Sequence, residues 1–124
     1  MKIQAAMIAS VMLATPALAQ QSGHQGMNHQ GMNHSMPATA ANPYGPAEMQ
    51  MHEKMMAATG ADASETWTRK MIEHHRGAVE ISQIVMRSGA TPAVRREAMK
   101  TIASQNREIA NLNAMLTRMG KPAQ

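Results

Sequence analysis

Met71, His74 and His75 stand at positions i, i+3 and i+4 of one helical stretch, so all three side chains project from the same side of a helix. A thioether beside two imidazoles is a soft-to-borderline donor set. It favours Cu(I), with Ag(I) as a mimic, over Mg or Ca, which take oxygen ligands. One isolated histidine on an apolar stripe would read as a hydrogen-bonded core residue. Two adjacent histidines with a methionine on the same side read as a metal site.

Two further clusters repeat this chemistry. Met49, His52 and Met56 fall at i, i+3 and i+7 of an earlier helical stretch, with Met51 and Met55 on the neighbouring stripe. Methionine also fills cores, so this cluster divides between packing and copper ligation, inner sulfurs packing and outer ones binding. Upstream, Gln25-Gly26-Met27-Asn28-His29 is followed at once by Gln30-Gly31-Met32-Asn33-His34, with His24 before the pair and Met36 after it. Histidine recurs every five residues in a polar, glycine-rich stretch, a composition that binds metal rather than folds.

These residues need elements to position them. The 124 residues are 44% hydrophobic but 2% aromatic, with one Trp, one Tyr and no Phe, and they contain fifteen methionines and no cysteine. One small domain with an aliphatic, methionine-built core fits that composition. Thiolate chemistry and disulfides are excluded. Lys2, the short apolar run Ala5 to Leu13, and Ala17-Leu18-Ala19 read as an export signal cut after Ala19, too short to span a membrane. Residues 20–46 form the His/Met-rich tail, 47–120 the helical domain and 121–124 a short C-terminal tail.

The domain is predicted to be all-α, with helices over about 47–59, 62–88 and 92–119. Pro46 and Gly60 bracket the first. Asp62 and Glu65 make a capping-box pattern for the second, which Gly89 ends. Thr91 and Pro92 start the third, and Gly120 with Pro122 closes it. The second helix carries an apolar stripe at Trp67, Met71, His74, Ala78, Ile81 and Val85, widened by Ile72, Val79 and Met86. The third carries Val94, Ala98, Ile102, Gln105, Ile109, Leu112, Leu116 and Met119. Only Gly89-Ala90-Thr91 separates the two, so they fold back as an antiparallel hairpin. A hairpin with one shorter helix makes a thin core, and a homo-oligomer is expected.

Counting outward from Ala90 sets His75 level with Gln105, with Glu108 one turn further along. A metal-bound imidazole commonly donates its other N–H to a carbonyl or carboxylate, so Gln105 or Glu108 is expected to orient His74 or His75. The formal charge of +4 is spread along the helices among acidic neighbours, without stacking aromatics, which excludes a nucleic-acid surface. No Glu-x-x-His occurs, so the di-iron chemistry of helical bundles lacks its ligands, and no enzyme activity is expected.

The run Met71-Ile72-Glu73-His74-His75-Arg76-Gly77-Ala78-Val79, followed by Gln105-Asn106-Arg107-Glu108-Ile109, resembles the bacterial domain-of-unknown-function 305 family over roughly Thr66 to Leu116. That resemblance implies a ferritin-like helical bundle. Some exported members are associated with copper binding and copper tolerance, which makes Met71, His74 and His75 candidate ligands by resemblance as well. Many members carry Met where Ile81 and Leu112 stand here, so two thioethers of that pattern are missing.

The expected function is an exported, periplasmic Cu(I)-binding protein that sequesters copper or passes it between a donor and an acceptor protein. Tail histidines would lose copper below about pH 6, since imidazole must be neutral to bind, whereas methionine sulfur would not. The competing expectation is a metal-independent helical adaptor that binds a partner through methionine-rich surfaces.

Overall fold

The computed structural model describes residues 36–124. The expected export signal and the repeat residues His24, Met27, His29, Met32 and His34 lie outside the described residues. Three α-helices follow one another: α1 (Gly45–Ala57), α2 (Ala63–Arg87) and α3 (Pro92–Arg118). The described residues are all-helical, without strands.

Each helix end has a local cause. Asp62 caps α2, its Oδ1 accepting the Glu65 N–H at 2.9 Å. The reciprocal half of the capping box is shifted by one residue: Glu65 Oε2 accepts the N–H of Ala61, not of Asp62. Thr91 caps α3, and Pro92 opens it where no N–H is required. Gly89 and Gly120 follow the last helical turns at φ of +73° and +72°, a left-handed backbone that side-chain-bearing residues resist. Past α3, Gly120 N–H bonds to Thr117 O and Lys121 N–H to Leu116 O, the paired bonds of a Schellman end. α1 begins and ends two residues before its predicted span, with Tyr44 at its N-cap and no side-chain cap.

α2 is the central element: α3 packs along one side of it and α1 along another, and α1 and α3 do not pack on each other. Ile72, Leu112 and Leu116 form the buried cluster between α2 and α3, with Met71 and Ile109 against it. α1 approaches α2 closely because residue 77 is glycine. A Cβ there would fall 2.2 Å from the Met51 sulfur.

The structure departs from the expected packing in two respects. The face of α2 turned into the protein is Thr68, Ile72, His75 and Ser82, about one residue around the helix from the predicted stripe, and Trp67 and His74 are exposed. Thr68 and Ser82 are tolerated inside because their hydroxyls donate to the carbonyls of Ser64 and Ala78, one turn back. The pairing of α2 with α3 is also offset by almost one turn. His75 meets Glu108 and Lys121 meets Glu65, because the Ile72–Leu112–Leu116 interlock, rather than the midpoint of the turn, sets the register. Consequently the first residues of α3, Pro92 to Glu97, extend past the packed region and are all exposed.

Candidate metal centre

His75 is buried on the α3-facing side of α2, and its Nε2 lies 2.7 Å from Glu108 Oε2. The carboxylate accepts, so Nε2 carries the proton. The lone pair of neutral His75 is thereby fixed on Nδ1. His74, the next residue, is exposed, and its Nδ1 sits 3.5 Å from His75 Nδ1. The two rings stand edge to face, 5.7 Å apart at an interplanar angle of 60°.

That separation has a chemical meaning. Two imidazole nitrogens each about 2.0–2.1 Å from one ion, at trigonal or tetrahedral angles, stand roughly 3.3–3.6 Å apart. With the Nε2 proton hydrogen-bonded to Glu108, His75 Nδ1 accepts from His74 Nδ1–H at 3.5 Å, and the same spacing would suit two ligands of one ion if that proton were displaced. Met71, one turn earlier, lines a depression with Trp67, His75, Glu108, Asn111 and Leu112. Among the described residues, no three side chains of the His, Asp and Glu types converge on one point. Glu108 is on the far side of the His75 ring from Nδ1, so a complete ligand shell on this pair requires sulfur or another donor from outside that group.

Gln105, the other expected orienting residue, lies on the same side of α3, but its Oε1 is buried without a hydrogen-bond partner. The offset register brings Glu108, half-exposed at 50%, to His75 in its place.

The cluster on α1 separates by role. Met51 packs on Gly77 and Met55 is half-buried, its carbonyl accepting from Lys70 Nζ. His52 and Met56 are exposed, Met56 at 65%. Met49 Sδ accepts the backbone N–H of Met36 at 3.2 Å, so the chain leaving the histidine repeat is fastened onto α1 at a methionine. Gly45 allows this approach, since a Cβ there would meet the Met36 backbone.

One polar cluster escaped the sequence reading. Glu65, buried at 6% exposure, holds Arg69 at 2.8 Å and Lys121 at 3.1 Å. The Ala61 N–H, then Arg69, then Lys121 lower its carboxyl from 4.5 to about 2. Glu73 pairs with Arg76 at 2.7 Å, and Gln124 is hydrogen-bonded to Arg69, Glu73, Arg76 and Asn113. Together these groups bind the segment after α3 to α2. The i, i+4 and i, i+3 spacing of Glu65–Arg69 and Glu73–Arg76 was the available signal.

Among the described residues the fold is all-helical, with a histidine pair on the central helix and a carboxylate from the facing helix. Residues 3–116 match the family described as "Domain of unknown function (DUF305)", and the chain belongs to that family. No curated protein and no solved structure matches it.

Proposed function

We propose that this is an exported copper-binding protein, periplasmic after removal of its signal, that captures Cu(I) and holds it for sequestration or for transfer to an acceptor protein. The observation that supports it best is the 3.5 Å spacing of the His74 and His75 Nδ1 atoms with Glu108 locked on the opposite nitrogen of His75. Neutral imidazole nitrogens with a nearby thioether suit Cu(I), and Ag(I) by the same softness.

In this reading His75 is the fixed ligand and His74 the mobile one. His75 is buried and oriented by Glu108, whereas His74 is exposed and free to swing onto the ion or away from it. Met71 supplies sulfur from the same side of α2. An ion held at an exposed edge exchanges readily, which suits a carrier more than a permanent store. The repeat with His24, Met27, His29, Met32 and His34 raises the local concentration of donors. Met36 is bonded to Met49 of α1, where His52 and Met56 are exposed. The three helices would be the functional unit of a ferritin-like bundle without its di-iron ligands.

The test is an anaerobic Cu(I) competition titration against a coloured chelator. It compares the wild-type chain, Met71→Ala/His74→Ala/His75→Ala, and a chain in which His24, His29, His34, Met27 and Met32 are all alanine. The expected result is tight binding that the triple helix variant loses and the repeat variant retains in part. Failure of every chain to compete would overturn the copper reading in favour of the helical adaptor.

A further inference from the structure

Along the sequence of α3 basic and acidic residues are interleaved, five Lys and Arg with two Glu between Pro92 and Arg118. On the folded helix the two signs separate. α3 turns Ile109, Leu112 and Leu116 toward α2. At 3.6 residues per turn, Arg96, Lys100, Arg107 and Arg118 fall within about 40° of one another on the opposite side. Ala103, Ala110 and Ala114 lie between them, and all seven positions are exposed. The two acids stand about a quarter-turn away or more and are engaged, Glu97 with Lys100 and Glu108 with His75. The Glu97–Lys100 pair is more than two-thirds exposed on both sides, so water screens it and it adds little. No ion pair among the described residues uses Arg96, Arg107 or Arg118. Helix stability does not account for the cations at the start of α3. Its first turn holds no acid, and Arg95 and Arg96 follow near the positive end of the helix dipole, where cations are unfavourable.

We infer that this side of α3 docks on an anionic lipid surface, with the helix lying along the headgroups. Arg96 to Arg118 spans about 33 Å in one line, and a flat array of anionic headgroups meets all four cations at once. An acidic protein would need a groove that takes in a convex helix to do the same. A second copy of the chain is excluded by like charge. Between the cations stand alanines, with Met99 alone as a long apolar side chain at the edge, so the helix rests on the headgroups without inserting. Each cation near such a surface strengthens binding roughly fivefold, which makes the contact reversible and sensitive to salt. Docking also leaves the histidine pair open. The depressions beside His75 and Trp67 meet α3 at Glu108, Met115 and Met119, about a quarter-turn or more from the basic line. A copper acceptor would have to approach that flank, which is a further reason to assign the basic side to a bilayer.

The experiment is co-sedimentation of the metal-free full chain with vesicles of phosphatidylcholine alone, or of phosphatidylcholine and phosphatidylglycerol in equal parts. The apolar run Ala5 to Leu13 would bind both vesicle types alike, so the excess on the anionic vesicles reads the charged side. That excess should fall about 25-fold in Arg96→Gln/Arg107→Gln, at roughly fivefold per cation, and less than about twofold in Lys54→Gln on α1. Circular dichroism confirms the helicity of each variant. Raised salt should release the chain. The only tryptophan, Trp67, lies off the docking side and should keep its emission on the anionic vesicles. Equal binding to both vesicle types overturns the inference, as does an anionic excess indifferent to the double variant. Tighter binding of polyglutamate or of a DNA duplex at equal anionic charge overturns it too, in favour of an acidic protein or a nucleic acid. No metal enters these measurements, so their outcome is separate from that of the copper titration.

Discussion

At the scale of single residues, the division of labour between two adjacent histidines carries the site. Sequence spacing marked Met71, His74 and His75, but it could not say which imidazole would be held and which left free. A hydrogen bond from the facing helix decides that. Glu108 takes the Nε2 proton of His75 and leaves Nδ1 as the donor atom. Glu108→Ala should therefore weaken Cu(I) binding by about 10–100-fold without unfolding the protein, the usual loss when a carboxylate behind a ligating histidine is removed. Glu108→Gln should lose less, because its amide oxygen can still accept from Nε2. Competition titration of the two variants checks the order. Glu65 is the other residue whose environment makes a prediction. With its carboxyl lowered to about 2, its contribution is complete above the ordinary value of 4.5 and is lost as pH falls from there toward 2. Wild-type urea midpoints should drop across that window. Glu65→Gln should start lower at neutral pH and drop less.

At the scale of elements, helix number, order and ends were legible because caps and stops are local chemistry: Asp62, Thr91 with Pro92, Gly89 and Gly120 all act where their types suggested. The rotation of α2 was not legible. Hydrophobic periodicity selects the most apolar stripe, yet the buried face includes Thr68, His75 and Ser82, whose polar groups find partners one turn away or across the interface. The register of α3 was missed for a related reason. Counting residues from a turn assumes that both helices start level, whereas the fit of Ile72 between Leu112 and Leu116 determines where they meet. Ile72, fully buried, should therefore be the most sensitive aliphatic position on α2. Ile72→Ala is expected to cost about 2–5 kcal/mol of unfolding free energy, measured by urea denaturation. Because the same fit brings Glu108 to His75, that variant should also weaken Cu(I) binding in chains that remain folded.

At the scale of the whole molecule, the described residues are organised around one helix, α2. α1 docks through Gly77, α3 through Ile72, and the segment after α3 is tied back by Glu65, Arg69, Glu73 and Arg76. The methionine excess then has several separate uses: Met51 packs, Met49 fastens the incoming chain, Met71 stands by the histidines, and Met115 and Met119 form open surface. Composition alone gave the excess without the allocation, since packing sulfur and ligating sulfur look alike in a sequence. No helix among the described residues is long and apolar enough to cross a membrane. In the proposed site the two Nδ1 atoms share one ion. X-ray absorption at the copper edge, on full chain loaded anaerobically with one equivalent of Cu(I), reads that ligand shell directly. It should show nitrogen neighbours at about 2.0 Å together with sulfur at about 2.3 Å, and His74→Ala/His75→Ala, made in a chain whose His24, His29, His34 and His52 are already alanine, should remove the nitrogen shell. A shell of sulfur alone in the wild-type chain, or an unchanged nitrogen shell in the double variant, would contradict the assignment of this histidine pair.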